Sequence, residues 1–202
     1  MLGTPVNPPL LATNSVAVTM RAVREISRKG SMMLDPKRVP NDIGHYLAGF
    51  ADGEGSFNVS FRPRSDYRMP WKVSLCFNIS QRDEVILAKF KRYLECGTMR
   101  RRRDGVWYYE VNNLRAILEN IVPFFDYYGF LSAKKQRDFA KFKKLAAILS
   151  ENADRNREWV QEILRIRSDM NDGGNRRYTD DLILMAYENP QRLDARRDPV
   201  GS

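Results

Sequence analysis

Histidine occurs once in this chain of 202 residues, at position 45, and cysteine twice, at 76 and 96. The cysteines are not in a C-x-x-C spacing, so a zinc centre, which needs several Cys and His ligands at set intervals, is nearly excluded. A metal bound here would be held by oxygen, which points to a hard ion such as magnesium or calcium. Long apolar runs are missing too. None approaches the ~18 residues of a membrane-crossing helix, and the amino terminus has neither the basic flank nor the long apolar stretch of a secretory signal. The expectation is a soluble, intracellular protein. Positive charge, by contrast, is plentiful: 34 Lys and Arg stand against 25 Asp and Glu, for a formal net charge of +9. That balance favours an anionic partner, nucleic acid or an acidic surface. At 43% hydrophobic residues the chain can bury a core, and its length suits one domain with appendages.

Residues 1 to 40 mix prolines with a short basic stretch, MRAVREISRKGSM, which DPKRVP then interrupts. They read as an N-terminal extension with partial disorder. From Asn41 the pattern tightens, and Asn41 or Asp42 is placed to cap a helix running to about Gly53. SFNVSFR then alternates Phe57, Val59 and Phe61 with Asn58, Ser60 and Arg62, and KVSLCFNISQ repeats the alternation from Lys72 to Gln81. Both are strand patterns. RDEVILAKFKRYL spaces its apolar residues as a helix does and ends at Cys96 and Gly97. TMRRRR, an Asp-Gly turn at 104 and 105, and VWYYEVN predict a hairpin. NLRAILENIVPFF and AKKQRDFAKFKKLAAIL predict two further helices, which completes a unit at about residue 150. Residues 151 to 202 read as a C-terminal helical extension with a basic Gly-rich loop, NDGGNRR. The fold class expected is α+β.

The stretch YLAGFADGEGSF at 46 to 57 is the most informative. Each glycine costs a helix roughly 1 kcal/mol against alanine, so Gly49 and Gly53, four residues apart, require a reason. On a helix Ile43, Tyr46, Leu47 and Phe50 share an apolar stripe. His45, Ala48, Gly49, Asp52 and Gly53 share a flat face on which another helix can approach closely. An ordinary amphipathic helix with glycines packed inside its own subunit explains the same spacing. Glu54 favours a helix pair: crossed helices would bring two carboxylates together, and these repel unless a cation sits between them. The two strands leave Asn58, Ser60 and Arg62 on one polar face, joined by Lys72, Ser74, Asn78 and Ser80. Such side chains suit phosphates and base edges, and Arg100 and Arg102 lie in a run of four arginines whose mutual repulsion an anionic partner relieves.

LAGFADGEG at 47 to 55 closely resembles the signature helix of the LAGLIDADG homing endonucleases, and the order of elements after it is similar to one unit of that family, over residues 41 to 150. The resemblance implies an αββαββα unit whose antiparallel four-stranded sheet forms a saddle on double-stranded DNA. One motif in the chain implies an intron-encoded homodimer, with Ala48, Gly49, Asp52 and Gly53 at the interface. By the same resemblance the Glu54 carboxylate and the Gly53 carbonyl bind magnesium. Manganese would substitute for it, and calcium would bind without supporting cleavage. Gln81 matches a water-orienting residue at the end of the second strand. Lys134 or Lys135 matches a basic residue beside the active site, and the sequence does not choose between them. Asp52 is expected to cap or pack at the helix pair rather than bind metal. His45 suits helix packing better than general-base work.

The function so implied is site-specific, metal-dependent cleavage of double-stranded DNA at a long pseudo-palindromic target, with no membrane partner. Two rivals stand beside it: a non-cleaving binder on the same scaffold, such as an intron RNA maturase or a DNA-binding regulator, and a basic interaction domain with an accidental motif. The last leaves the glycine face and the strand register unexplained.

Overall fold

The computed structural model describes residues 33–64, 70–151, 155–171 and 176–188. The basic stretch before residue 33, the middle of the turn between the first two strands and the glycines of the Gly-rich loop lie outside the described residues. The first long helix, α1, spans Asn41–Glu54. Neither Asn41 nor Asp42 caps it. Both already lie in its first turn, and Pro40 takes the cap position with no side-chain hydrogen bond while its carbonyl accepts the Gly44 amide at 2.8 Å. Proline's fixed φ sets the entry in place of a capping side chain.

β1 (Ser56–Pro63) and β2 (Trp71–Gln81) pair antiparallel, with Phe57 opposite Phe77 and Ser60 opposite Ser74. α2 (Glu84–Leu94) starts on Asp83, whose carboxylate accepts the Val85 amide, and stops where Glu95 enters the left-handed region at φ 54°. Gly97, at φ 80°, then turns the chain against Tyr109, where an added Cβ would sit 2.7 Å from the ring. β3 (Thr98–Arg101) and β4 (Trp107–Val111) form the expected hairpin, with Gly105 at φ 84°. The sheet order is β1-β2-β4-β3, antiparallel throughout.

α3 (Leu114–Ala116) passes through a π-helical stretch, Ile117–Ile121, into α4 (Val122–Tyr128). Pro123 accounts for the irregularity, since it has no N–H for the Glu119 carbonyl one turn back. That carbonyl accepts the Leu34 amide instead, at 2.9 Å, and the Tyr128 hydroxyl donates to the carbonyls of Pro36 and Val39. Residues 34 to 39 are thereby held against α4. α5 (Ala133–Ser150), α6 (Arg157–Ser168) and α7 (Asp180–Glu188) complete the chain, and one hydrophobic core runs from Leu34 through the sheet to Ala186. The alternation read from the strands is the alternation observed. Phe57, Leu75, Phe77, Ile79 and Tyr109 face the core, where Phe57 lies 4.9 Å from Phe142 and 5.2 Å from Phe77 between ring centroids. The opposite face is polar.

Candidate functional site

The carboxyl end of α1 and the amino end of α5 meet, and three side chains hold the junction. Asp52 accepts the amides of Leu131 (3.1 Å) and Ser132 (2.9 Å) and the Ser132 hydroxyl. Ser132 is in turn the N-cap of α5, accepting from the Lys135 amide. One turn into α5, the Lys135 ammonium reaches back and donates to the Gly55 carbonyl. Burial pulls the Lys135 pKa below the usual lysine value, although the carboxylates of Asp52, Asp138 and Glu54 oppose the shift. Lys134 is exposed on the neighbouring face of the helix. Of the two lysines left open by the sequence, Lys135 is the one brought to the end of the motif.

Glu54 is the last residue of α1 and is exposed. The Gly55 amide bonds to the Ala51 carbonyl, so the carbonyls of Asp52, Gly53 and Glu54 project past the last helical hydrogen bond, as at any helix carboxyl end. A carboxylate with unpaired carbonyls beside it is a donor set that suits a hard cation. Among the described residues no three Cys, His, Asp or Glu side chains gather into a metal-binding cluster. Register sets β2 against the start of β1, where Ser56 pairs with Asn78, and Gln81 lies three residues further along β2, opposite Trp107 of β4. The Gln81 side-chain oxygen accepts the Arg82 amide at 2.8 Å. The His45 ring meets Tyr128 edge-on at 5.2 Å, consistent with a packing role.

The faces of α1 differ from the sequence expectation at three positions. Ala48, placed on the flat outer face, is buried in the chain's own core at 3% exposure, whereas Tyr46, placed on the core stripe, is 55% exposed. The buried face is narrow and built of Gly44, Leu47, Ala48 and Ala51, because α4 packs close: a Cβ on Gly44 would lie 2.0 Å from the Tyr128 ring. Gly49 and Gly53 are different. Nothing among the described residues lies within 4 Å of a Cβ built on either. Packing among the described residues, which explains Gly44, explains neither of them. Asp52, expected at the outer helix pair, is turned instead into its own chain.

Asn58, Ser60, Arg62, Lys72, Ser74, Asn78 and Ser80 all fall on the polar sheet face, continued across β4 and β3 by Tyr108, Glu110 and Arg100. Asn58 is engaged already, donating to the Ser56 hydroxyl at 3.0 Å while Asn171, which also bonds the Phe57 carbonyl, approaches its oxygen at 3.5 Å. Cys76 is half-buried there, and burial raises its thiol pKa. Tyr108 escaped the sequence reading, which weighed this hairpin by charge alone. Its position opposite Arg100 and Ser80 follows from the alternation and was available as a signal.

A family model for the LAGLIDADG endonucleases matches residues 47–146. The chain is 32% identical over 84 residues to the DNA endonuclease I-CvuI of Chlorella vulgaris, covering 39% of this chain and 52% of that protein. Among solved structures it is similar to the meganuclease I-SmaMI bound to uncleaveable DNA, at 30% identity and a TM-score of 0.61, covering 65% of this chain and 46% of that one. It is also similar to the homing endonuclease I-TnaI, at 27% identity and a TM-score of 0.60, covering 67% of this chain and 90% of that one. The chain spans 29%, 52% and 63% of the length of three curated relatives it matches. With the signature stretch at the end of α1, the whole sheet and most of α5 inside the matched region, the chain belongs to the LAGLIDADG endonuclease family.

Proposed function

We propose that this chain is a site-specific, metal-dependent DNA endonuclease whose working unit is a pair of identical copies, with α1 of one packed on α1 of the other. The observation that carries the reading is the open face of α1, where Gly49 and Gly53 are bare and lead to the exposed Glu54. Two such faces brought together set two Glu54 carboxylates beside each other at the middle of a continuous, doubled sheet surface. The coverage of the two solved relatives supports this, since 90% of one and 46% of the other are the lengths expected of one unit and of a two-unit chain. A two-fold pair on a duplex reads a pseudo-palindromic target.

Glu54 and the Gly53 carbonyl would hold magnesium, for which manganese substitutes, while calcium occupies the site without supporting cleavage. A divalent ion bound there supplies Lewis-acid activation of water and of the scissile phosphate. Lys135 keeps a positive charge at the same point, held by the Gly55 carbonyl. Gln81, at the adjoining edge of β2, orients water. Ser60, Ser74 and Ser80 with Arg62 and Lys72 hold the backbone and edges of the duplex, and Arg100 and Arg102 extend the contact outward.

The test is cleavage-site selection from a randomised duplex library with and without magnesium, run on the native chain and on Glu54→Gln. The expected result is cutting at one sequence class in magnesium, abolished by chelator. Glu54→Gln should lower cleavage by several orders of magnitude and keep duplex affinity, measured in calcium or without metal, within about tenfold, or about 1.4 kcal/mol. A chain that selects a sequence yet never cuts it would be a DNA-binding regulator on the same scaffold.

A further inference from the structure

Two exposed arginines of the β3–β4 hairpin share one tyrosine. The Arg100 guanidinium lies 5.5 Å from the Tyr108 ring centroid and that of Arg102 lies 5.3 Å from it. Arg102 also donates from Nη1 to the Tyr108 hydroxyl at 2.6 Å, and Arg100 from Nη2 to the Glu110 carboxylate at 3.4 Å. Arg102 Nη2 also pairs with the Asp104 carboxylate at 3.4 Å; the arginine side chains are 60% and 54% exposed, and their orientation is set from within the hairpin. Exposed pairs of this kind add little to fold stability. What they change is where a guanidinium points. An arginine reads guanine with two parallel N–H groups in one plane, so fixing that plane before contact removes the ordering cost that a free side chain would incur on binding.

The arrangement also lies where it can be used. Tyr108 stands opposite Arg100 on one side and Ser80 on the other, in a row that crosses the polar face from β3 through β4 to β2. We infer that Tyr108 is a specificity-determining positioning residue, fixing Arg100 and Arg102 as a paired reader of guanines in the major groove. The inference rests on the proposed reading of the polar sheet face as the duplex-binding face. Because both guanidinium groups lie against one ring, they are at most about 11 Å apart, which is about three base-pair steps of ~3.4 Å. The pair therefore reads within a single run of about four base pairs in each half-site.

The experiment is binding-site selection on randomised duplexes in calcium, using the native chain, Tyr108→Phe, Arg102→Ala and the double variant. Phenylalanine keeps the ring and loses only the hydroxyl that Arg102 grips. Tyr108→Phe is expected to flatten the base preference about fivefold or more at one or two adjacent positions, leaving other positions and the salt dependence of affinity unchanged. The double variant should be no flatter than Arg102→Ala alone, because the Tyr108 hydroxyl acts through that arginine and phenylalanine keeps the ring against Arg100. A Tyr108→Phe profile identical to the native one overturns the inference while leaving the duplex reading intact. Further flattening at new positions in the double variant assigns Tyr108 a contact of its own and also overturns it. A native chain without any duplex preference refutes the duplex reading, and the inference falls with it.

Discussion

Asp52 and Glu54 are two acids of one motif, two residues apart, and the structure gives them opposite surroundings. Consider Asp52→Ala. The carboxylate accepts three hydrogen bonds, from the amides of Leu131 and Ser132 and from the Ser132 hydroxyl, all at the start of α5. Deleting a capping acceptor of this kind costs about 0.5–2 kcal/mol, and solvent beside the junction repairs part of the loss, so about 1–2 kcal/mol is expected. For a chain of this size that lowers Tm by roughly 2–8 °C. Asp52→Asn should fall between, since it keeps one acceptor oxygen and loses the charge that favours a helix amino end. Glu54→Gln, with no such contacts among the described residues, should change stability by less than about 0.5 kcal/mol. Urea melts at pH 7 and one fixed chain concentration compare midpoints at constant slope.

Acid gives the same comparison a sign. Burial raises the Asp52 pKa, but the Ser132 hydroxyl with the Ser132 and Leu131 amides outweighs it, leaving the carboxyl below 3.8. A depressed folded pKa adds stability that is fully present above the unfolded value, about 3.8, and is lost as pH falls through the folded value. The gap between the native chain and Asp52→Ala should hold from pH 7 to pH 5 and narrow below pH 4. If Glu54→Gln is the destabilised variant and Asp52→Ala melts with the native chain, the assignment of the two acids is reversed and the reasoning fails.

Glycine positions in α1 should separate by substitution: Gly44→Ala forces a Cβ into Tyr128 and should cost roughly 1–3 kcal/mol, while Gly49→Ala, which meets nothing among the described residues of its own chain, should gain up to about 1 kcal/mol in helix propensity in the unpaired chain. Gly49→Leu should leave the folded chain intact but dissociate the pair in analytical ultracentrifugation; a native chain that sediments as a monomer on and off DNA refutes the paired site. Lys135→Met should slow cleavage by about a hundredfold or more with duplex affinity little changed, whereas Lys134→Met should stay within about threefold. Equal loss for both lysines in single-turnover assays would contradict the geometry at Gly55. Duplex affinity should fall with salt at a log-log slope of roughly −0.9 per neutralised phosphate, and a flat response in a titration from low to high salt would remove the sheet as a phosphate surface.

The strands were legible because one buried face imposes a period of two, and Phe57, Leu75, Phe77 and Ile79 keep it without a break. The faces of α1 were less so. A helical wheel takes large side chains as the mark of the core, but α4 lies so close to α1 that the buried face is made of Gly44, Ala48 and Ala51, and Tyr46 is left outside. The partners of Asp52 lie in a segment far along the chain, so its role as a cap had no local signature. Adjacent residues on a helix point about 100° apart. Only the placement of α5 against α1 therefore decides between Lys134 and Lys135. The π stretch before Pro123 was hidden for the same reason, since the donor that satisfies the freed carbonyl comes from Leu34.

At the junction of α1 and α5 the backbone itself carries charge. α1 ends there with its partial negative charge, and α5 begins there with its partial positive charge. Asp52 and Lys135 each sit at the unfavourable end of their own helix, but each is matched across the junction, Asp52 by the amino end of α5 and Lys135 by the Gly55 carbonyl. Glu54 has no such match. A carboxylate on the last residue of a helix adds negative charge to a negative end, and pairing two copies would double the conflict. Lys135 relieves part of it, since the Glu54 carboxylate acts on that ammonium across the junction. Fold requirements explain the other two charges and leave this one unaccounted for, and a local rule broken without the match its neighbours have is expected at a working site rather than in a scaffold. A cation between the helices turns the same placement from a cost into an attraction, because the carboxylates, the orphan carbonyls and the two helix ends then all point their negative charge at it.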